Sequence, residues 1–499
     1  MRTVENFEWF RNTVAELTND VERIRLLSEL KLAISSLNSS QLKLIANSIP
    51  LELLFDCLNS SEKEQIDLAC DVMKTIMSSW EPGAVLAQYK IQLQRALGHP
   101  TPQARVMVLQ ELNKVLSDGK PVSRLNESED LLLAVLDCVR HEDSSVYEKA
   151  KDVLVKLGAT PEGLRLLYGQ TLLNELISSM GQSDIVRFRV YEVITDVSVN
   201  SESGLRASHT SGLLPSLMSE LDSDDILLQL NALELFSKLA VTPHGFQYFR
   251  QRGVLATLAD KVLNTGESPF GSLLLPGLIK FFGNVAHSWP QEILTEFPSV
   301  VKALFEVLDS SDFVLLGTVM ETLGFIGTSP QGKQALHNLG DSMSKSMKML
   351  GNNIKTLPAE WKVRTLNTVA NLIQVKKITR SWFASLATDP MELIMHVGRQ
   401  PFPELKLAVL QVLNVLGEQQ WGQEYIKGFA GLIEFLLDRS TEATKLCKDA
   451  KYEVLRTIVS SPTSESVFGI ETILRFKNYI REGPVYVHVE TEVAIEGSS

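Results

Sequence analysis

The stretch "SPQGKQALHNLG", residues 329–340, decides the fold because other segments of the chain repeat its pattern. In each copy a serine or threonine can cap a helix N-terminus, and proline is tolerated in the first turn, where its missing N–H had no partner. A glycine stands three residues after the cap, and a second glycine ends the short helix in a left-handed conformation. The caps are Thr160, Ser201, Thr242 and Ser329, and a weaker copy surrounds Gly422. The second glycines are Gly169, Gly212, Gly253, Gly340 and Gly431.

The beginning of this stretch also resembles a phosphate-binding loop, because Lys333 follows the second of two glycines in "GTSPQGKQ". Such a loop needs a serine or threonine after the lysine to hold Mg²⁺, and Gln334 stands there. It should also follow a buried strand, whereas Met320, Leu323 and Ile326 are spaced like one face of a helix. The sequence therefore favours a helix start within a repeat, and it predicts that Lys333 is solvated.

The repeat has a period of about 42 residues. The glycines that follow the caps stand at positions 163, 204, 245, 332 and 422, which are 41, 41, 87 and 90 residues apart, one period or two. Between them, apolar residues spaced by three and four, such as Val186, Val190, Val193, Ile194 and Val197, predict helices with one buried stripe. This period is typical of armadillo and HEAT repeats. The sequence predicts an all-α fold, a right-handed alpha-alpha superhelix (solenoid) of about ten to eleven armadillo/HEAT-like repeats.

The repeats are expected to occupy most of the chain. The capped short helix before a longer pair favours the three-helix armadillo form in the middle units, and two-helix HEAT pairs are expected elsewhere. We expect an N-terminal helical cap at 1–45, the armadillo/HEAT-like array at 46–462, a C-terminal helical cap at 463–488 and a polar, frayed tail at 489–499. Each unit is too small to bury its stripe alone and must pack against its neighbours.

Composition narrows the classes of function. The 499 residues carry a net charge of -12 and a pI near 5.3, which argues against nucleic-acid binding and suits partners with basic patches. The four cysteines form no C-x-x-C pair, which fits reduced core residues. The N-terminus does not resemble a signal peptide, and no run of about 18 apolar residues suggests a membrane span. A cytoplasmic location is predicted, with the nucleus also open.

No catalytic constellation is recognisable. None of the eight histidines pairs as H-x-x-x-H, and no G-x-S-x-G elbow occurs. We therefore expect no catalytic residue, no cofactor and no metal, and a solenoid without such a site is expected to bind partners along its concave face. An armadillo importer would carry an asparagine four residues after groove tryptophans, and none of the six tryptophans has one. A general armadillo-type adaptor or transport factor that binds extended basic peptides remains the alternative.

Several stretches resemble the family of 26S proteasome non-ATPase regulatory subunit 5. They run in the family's order from Asp184 to the C-terminal region. They are "DIVRFRVYEVI" from Asp184, "PHGFQYF" from Pro243, "LPGLIKFFGNVA" from Leu275, "SWFASLATDPMELI" from Ser381, "QPFPELKLAVLQVL" from Gln400, "CKDAKYEV" from Cys447 and "REGPVYV" from Arg481. Each alone is only a helix of a solenoid, whereas together they are specific.

The resemblance implies an assembly chaperone of the base of the 26S proteasome regulatory particle. In such a family member the concave face holds the C-terminal domain of ATPase regulatory subunit 7. The chaperone helps to form a module with ATPase regulatory subunit 4 and non-ATPase subunit 2, and it leaves before the mature proteasome forms. The free chain is expected to be a monomer.

Candidate contact residues lie on helices within the resembling stretches, at positions outside the predicted buried stripe. They are Arg187, Arg189, Tyr191 and Glu192 in the first stretch, Lys280, Phe281 and Asn284 in the third, and Lys448, Asp449, Lys451 and Tyr452 in "CKDAKYEV". The structural alternative also stays open: arginine and glutamate side chains can bridge adjacent repeats, and aromatic side chains can belong to the core.

Overall fold

A computed structural model describes residues 2–19, 22–117, 128–264, 271–374 and 378–485, and all regular secondary structure in these ranges is helical. The predicted polar tail, 489–499, lies outside them. The chain divides into two compact units, Met1–Tyr248 and Phe249–Ser499. The predicted all-α solenoid fold of armadillo/HEAT-like repeats is confirmed, and the domain boundaries stay predictions.

The first unit contains α1 (Arg2–Glu16), α2 (Arg23–Ser35), α3 (Ser39–Ala46), α4 (Leu51–Asp56), α5 (Lys63–Ser78), α6 (Ala84–Leu97), α7 (Pro102–Ser117), α8 (Glu129–Val139), α9 (Ser144–Leu157), α10 (Pro161–Leu167), α11 (Gln170–Met180), α12 (Asp184–Asn200), α13 (Glu202–Thr210), α14 (Leu213–Ser219), α15 (Ile226–Ala240) and most of α16 (Pro243–Gln251). A 3₁₀ turn, Glu220–Asp222, extends α14.

The second unit contains α17 (Val254–Leu263), α18 (Gly271–Ser288), α19 (Pro290–Glu296), α20 (Pro298–Glu306), α21 (Phe313–Ile326), α22 (Pro330–Asn338), α23 (Asp341–Thr356), α24 (Ala359–Ile373), α25 (Thr379–Ser385), α26 (Pro390–Gly398), α27 (Pro403–Gly417), α28 (Gln420–Gly428), α29 (Leu432–Leu437), α30 (Lys445–Ser460), α31 (Ser464–Phe468) and α32 (Ile470–Glu482). A 3₁₀ turn, Val307–Asp309, extends α20.

From α10 onward the helices recur as triplets of a short first helix, a second helix and a longer third helix. The third helices are α12, α15, α18, α21, α24, α27 and α30, and α9 holds the same place before the first triplet. Within each unit every third helix packs on the third helix of the next triplet. Among the described residues, the three-helix form therefore continues from α10 to α30, beyond the middle units for which it was predicted.

The predicted caps are confirmed. The side chains of Thr160, Ser201, Thr242 and Ser329 each accept a hydrogen bond from the backbone N–H three residues on, at 2.9 to 3.1 Å. The donor is a glycine each time because a Cβ there would overlap the preceding third helix. At Gly332, for example, it would lie 1.9 Å from the carbonyl oxygen of Ile326. This close approach sets the angle at which each short helix leaves the third helix.

The second glycines are left-handed, as predicted, at three of five positions. Gly212, Gly253 and Gly431 have φ values of 82°, 72° and 78° with ψ near 0°. Gly340 also has a positive φ, 56°, but its ψ of -121° lies outside the left-handed helical region. The prediction is wrong at Gly169, whose φ is -66° and ψ 155°. At that position the chain is extended and enters α11 directly, so no left-handed residue is needed.

Lys333 is buried, with 2% of its surface exposed, so the prediction that it is solvated is wrong. Its ammonium donates to the carbonyl oxygen of Gly327, at the end of α21, and to that of Asn371 (3.0 Å), in the last turn of α24. Carbonyls at a helix C-terminus lack helical donors and carry partial negative charge. Gln423, at the same place in a later repeat, donates to the carbonyl oxygen of Gly417 (2.8 Å). This position thus satisfies the end of the preceding third helix.

Candidate partner-binding surface

In the first unit a network of polar side chains ties α9, α12 and α15 together. Glu192 on α12 accepts hydrogen bonds from the Tyr147 hydroxyl and from Lys151 Nζ (2.9 Å) on α9, and it pairs with Lys238 Nζ (3.2 Å) on α15. Burial opposes ionisation of this carboxyl, but the hydrogen bonds from Tyr147 and Lys151 outweigh burial and hold the pKa of Glu192 below its usual value. Glu192 therefore bridges three successive repeats.

The two arginines of α12 are also engaged within the first unit. Arg187 pairs with Glu220, with its Nε 2.8 Å from the carboxylate. Arg189 donates to the carbonyl oxygens of Val139 (3.0 Å) and His141 (2.6 Å), at the end of α8. Both guanidinium groups thus satisfy carboxylate or carbonyl groups of neighbouring helices, which is the structural role that the sequence left open.

Tyr191 is fully buried, so the expectation that it faces away from the core is wrong. Its hydroxyl lies 2.9 Å from Ser216 Oγ and donates to Glu220 (3.1 Å), and burial raises the pKa of Tyr191 to about 12. The reason is tertiary: α13, α14 and α15 cover α12 on several sides, so its buried arc is wider than the stripe read from spacing.

In the second unit, two of the three candidates on α18 lie on an open face. Lys280 and Asn284 are exposed, and their side chains make no hydrogen bond or ion pair with another residue of the described ranges. Phe281 is buried at 1% exposure and packs edge-on against Phe282, with ring centroids 5.3 Å apart, so its predicted outward direction is wrong. Neighbouring helices cover both rings of this pair. The prediction of a single buried stripe on each helix had placed Phe281 outside the core.

The pattern of Lys280 and Asn284, two exposed residues separated by three buried ones, recurs on the next two third helices. Its counterparts are Glu321 and Phe325 on α21, and Asn367 and Asn371 on α24, while α27 contributes Gln411. These helices pack in succession, so the exposed positions form one surface. We call it the third-helix surface of the second unit. It consists of Lys280, Asn284, Glu321, Phe325, Asn367, Asn371 and Gln411.

Only part of this surface interacts with the chain itself. Phe325 stacks on His287 with centroids 4.0 Å apart, and Glu321 lies 3.5 Å from Arg364. The side chains of Asn367 and Gln411 make no hydrogen bond within the described ranges. These residues were not predicted from the sequence, because each candidate was taken from a single helix. The signal for them is the same pair of exposed positions in successive repeats.

The four candidates on α30 also differ in how deeply they are buried. Lys448, Asp449 and Tyr452 are half-buried. Lys451 is buried at 1% exposure, so its predicted outward direction is wrong. Its ammonium donates to the carbonyl oxygen of Asp438 (2.7 Å), and burial lowers the pKa of Lys451 to about 8. The turn between α29 and α30 folds over Lys451, which only the tertiary structure determines.

Three further features bear on the kind of site. All four cysteines are free and buried, as expected of core residues. Across the described ranges, no group of three or more His, Cys, Asp or Glu side chains is placed to hold a metal ion. In the same ranges no single helix is long and apolar enough to cross a membrane, and α21 with α22 would qualify only as a pair bent by 112°.

Comparison with known proteins gives the chain relatives over nearly its whole length. A family model described as "Proteasome non-ATPase 26S subunit" matches residues 6–499. The chain is 34% identical over 495 residues to human 26S proteasome non-ATPase regulatory subunit 5, covering 97% of this chain and 98% of the relative. It is 28% identical over 506 residues to the Drosophila melanogaster protein of the same description, covering 98% of each.

Solved structures bear on the fold alone. A crystal structure of importin β in a polyethylene glycol condition has a TM-score of 0.57 at 12% identity, covering 96% of this chain and 64% of that chain. Yeast importin-β (Kap95p) has a TM-score of 0.53 at 14% identity, covering 95% of this chain and 61% of that one. Both are similar in fold over most of this chain.

Proposed function

The chain belongs to the proteasome non-ATPase 26S subunit family, and on that premise we propose that it is an assembly chaperone of the base of the 26S proteasome regulatory particle. In this proposal the C-terminal domain of ATPase regulatory subunit 7 binds in the concave face of the solenoid. The chain helps to form a module with ATPase regulatory subunit 4 and non-ATPase subunit 2, and it dissociates before the mature proteasome forms. It is a monomer when free and acts in the cytoplasm, with the nucleus as a second location.

The observation that carries the proposal is the third-helix surface of the second unit. Lys280, Asn284, Asn367 and Gln411 have donors or acceptors that no other described residue uses, so a partner can bind them without breaking bonds within the chain. Phe325, 42% exposed, adds an aromatic group among these polar side chains. Aromatic anchors surrounded by polar contacts are typical of protein interfaces. The family relationship favours a proteasomal partner and a non-catalytic role.

The four candidates on α12 take a different role in the proposal. Their side chains hold α12 to the helices around it, and a partner could recruit them only by breaking buried contacts. We therefore assign them to the rigidity of the first unit. Of the eleven residues singled out from the sequence, Lys280 and Asn284 are the exposed ones, and they are the ones we place at the contact.

Direct binding tests the proposal. The purified chain is titrated by calorimetry with the isolated C-terminal domain of ATPase regulatory subunit 7, and we expect one-to-one binding. The double variant Lys280→Ala/Asn284→Ala should bind about tenfold more weakly, a loss of about 1.4 kcal/mol. Lys348→Ala, an exposed lysine on the second helix α23, is the matched control and should bind like the unchanged chain. Absence of binding by the folded chain would overturn the proposal.

The alternative function, an adaptor for extended basic peptides, is favoured by the net charge of -12. The same calorimeter separates the two functions. Saturable binding of short basic peptides that is equally strong for Lys280→Glu and Lys348→Glu, with no binding of the ATPase domain, would establish the adaptor function at a site away from Lys280. Binding of the folded domain with no binding of peptides would exclude it.

A further inference from the structure

A pocket of about 310 Å³ lies in the second unit between the first helices α25 and α28 and the N-terminus of the second helix α26. It is formed by first and second helices, whereas the third-helix surface lies on α18 to α27. Gly428 lines one side, and a Cβ there would meet nothing within 4 Å, so this wall stands open. The inference drawn from this pocket does not rest on the proposed function.

The floor of the pocket is apolar. Met391 is only 3% exposed, and Phe429 lies beside it. The ring of Tyr425 is held edge-on by Phe383, with centroids 5.1 Å apart, and by Trp421, at 6.1 Å. Its hydroxyl makes no hydrogen bond with another residue of the described ranges, so a donor and acceptor is available at a fixed position.

The rim carries two carboxylates and one guanidinium. Asp389 uses one oxygen to cap α26, accepting from the Glu392 N–H (3.0 Å), and its other oxygen makes no hydrogen bond within the described ranges. Glu424 lies 3.8 Å from Arg380, and both side chains are about half exposed, at 46% and 61%. An ion pair this long and this exposed is weak. A second guanidinium, that of Arg399, lies 5.8 Å from the Phe429 ring centroid, but it pairs with Glu392 (2.9 Å). The rim therefore keeps a surplus of one negative charge. Glu424 also accepts a long hydrogen bond from Gln420 (3.4 Å), so its carboxylate is held only by weak contacts.

We infer that this pocket binds one basic side chain, arginine or lysine, presented by an extended segment of a partner protein. The aliphatic part of such a side chain would cover Met391 and Phe429. Its cationic head would lie over the Tyr425 ring and between Asp389 and Glu424, which combines a cation–π contact with charge-assisted hydrogen bonds. The volume suits a single long side chain, and the added charge neutralises the surplus on the rim. The chain's net charge of -12 also favours a cationic partner.

The inference is tested on the full chain by the methyl signals of its twelve methionines, labelled with ¹³C. Met391 lines the pocket, and its signal is assigned with the variant Met391→Leu. Met395, one turn further along α26, is the internal control. The probe is a blocked pentapeptide with arginine between two pairs of alanines. We expect it to shift the Met391 signal saturably in a range of about 1–10 mM, a weak affinity suited to one side chain, without shifting Met395.

Matched peptides and variants decide the chemistry. With citrulline, a neutral isostere, or norleucine in place of arginine, the apparent affinity should fall at least about threefold. Glu424→Gln and Tyr425→Phe should each weaken arginine binding by about threefold or more at an unchanged melting temperature, whereas Glu434→Gln, an exposed carboxylate on α29 outside the pocket, should not. No shift of Met391 with the arginine peptide, equal binding of the norleucine peptide, or indifference to both pocket variants would each overturn the inference.

Discussion

The glycine three residues after each cap is required by contact and not by backbone conformation. Its φ is ordinary, but in the five copies a Cβ would lie within 2.3 Å of the carbonyl oxygen of the preceding third helix. Such an overlap must displace backbone, because no flexible side chain is there to yield. Because glycine lacks a Cβ, the third helix and the first helix of the next triplet can come into contact at this position.

Gly332→Ala should destabilise the second unit by at least about 2 kcal/mol, because the new Cβ would lie 1.9 Å from the Ile326 carbonyl oxygen. The measurement is the thermal denaturation midpoint, with hydrogen exchange of α22 as a local readout. Gly428→Ala is the control: its Cβ would meet nothing within 4 Å, so stability should change by less than about 0.5 kcal/mol. Equal stability of the two variants would contradict this explanation.

Lys333→Met should cost about 2 kcal/mol of stability, because it leaves the carbonyl oxygens of Gly327 and Asn371 buried without this donor. Lys280→Met is the control, since Lys280 is exposed and unpaired within the described residues. Denaturant unfolding of both variants measures the difference. A Lys333→Met variant as stable as the control would show that the buried ammonium costs as much as its hydrogen bonds contribute.

At the scale of helices, the third helices of the two units differ in whether their exposed polar side chains pair with those of neighbouring helices. In the first unit, Lys151, Glu192 and Lys238 pair across α9, α12 and α15. In the second unit, the corresponding face carries amides and few pairs, and glycines such as Gly283 and Gly324 let neighbouring third helices approach closely, with Thr322 and Thr368 opposite them. The first arrangement stabilises the stack, and the second leaves polar groups available to a partner.

Glu192→Gln should destabilise the first unit by about 1–2 kcal/mol at pH 7, because Lys151 and Lys238 lose their shared carboxylate. The pKa of Glu192 is held below the ordinary glutamate value of 4.5, so its contribution is present above pH 4.5 and is lost as pH falls through the folded-state pKa. The gap in melting temperature between variant and unchanged chain should therefore narrow below about pH 4.5.

Glu234→Gln is the matched control for this prediction. Glu234 lies on α15, is exposed, and has no ion pair with another described residue. Its replacement should leave the melting temperature unchanged at pH 7 and at pH 4. If Glu192→Gln behaves in the same way at both pH values, the network around Glu192 contributes nothing measurable to the first unit.

At the scale of the whole molecule, the net charge of -12 affects association more than folding. An excess of one sign over a long surface steers a partner of opposite charge during diffusion, and salt screens this attraction over about 8–10 Å at physiological ionic strength. The polar, largely amide character of the third-helix surface supplies short-range contacts that salt affects little. Steering and final contact are therefore separable properties of this protein.

On the proposed function, the rate of association with the C-terminal domain of ATPase regulatory subunit 7 should fall about tenfold between about 50 and 300 mM salt, with little change in dissociation. Lys280→Ala/Asn284→Ala should instead speed dissociation, since it removes short-range contacts. Stopped-flow and surface-based kinetics measure both rates. An association rate that does not respond to salt would contradict steering by the acidic surface.

The repeat architecture was predictable because local rules produce it. Caps such as Thr160 and Ser329 and left-handed glycines such as Gly212 depend on neighbours within one or two turns, so the sequence shows them directly. Apolar spacing likewise predicted the buried side chains of α12. The departure at Gly169 from the predicted left-handed glycine is also local, since α11 starts there without a left-handed turn.

The candidate site was predicted only in part, because exposure outside the main stripe depends on how many helices cover a given helix. Four side chains that were expected to face away from the core are buried under neighbouring helices and turns. They are Tyr191, Phe281, Lys333 and Lys451. The third-helix surface likewise needs the relative positions of successive helices. The sequence by itself determined the repeat, its period and its caps, through interactions between residues close in the chain. Tertiary structure alone decided which polar and aromatic side chains reach the surface, because burial results from contacts between residues about 40 positions apart.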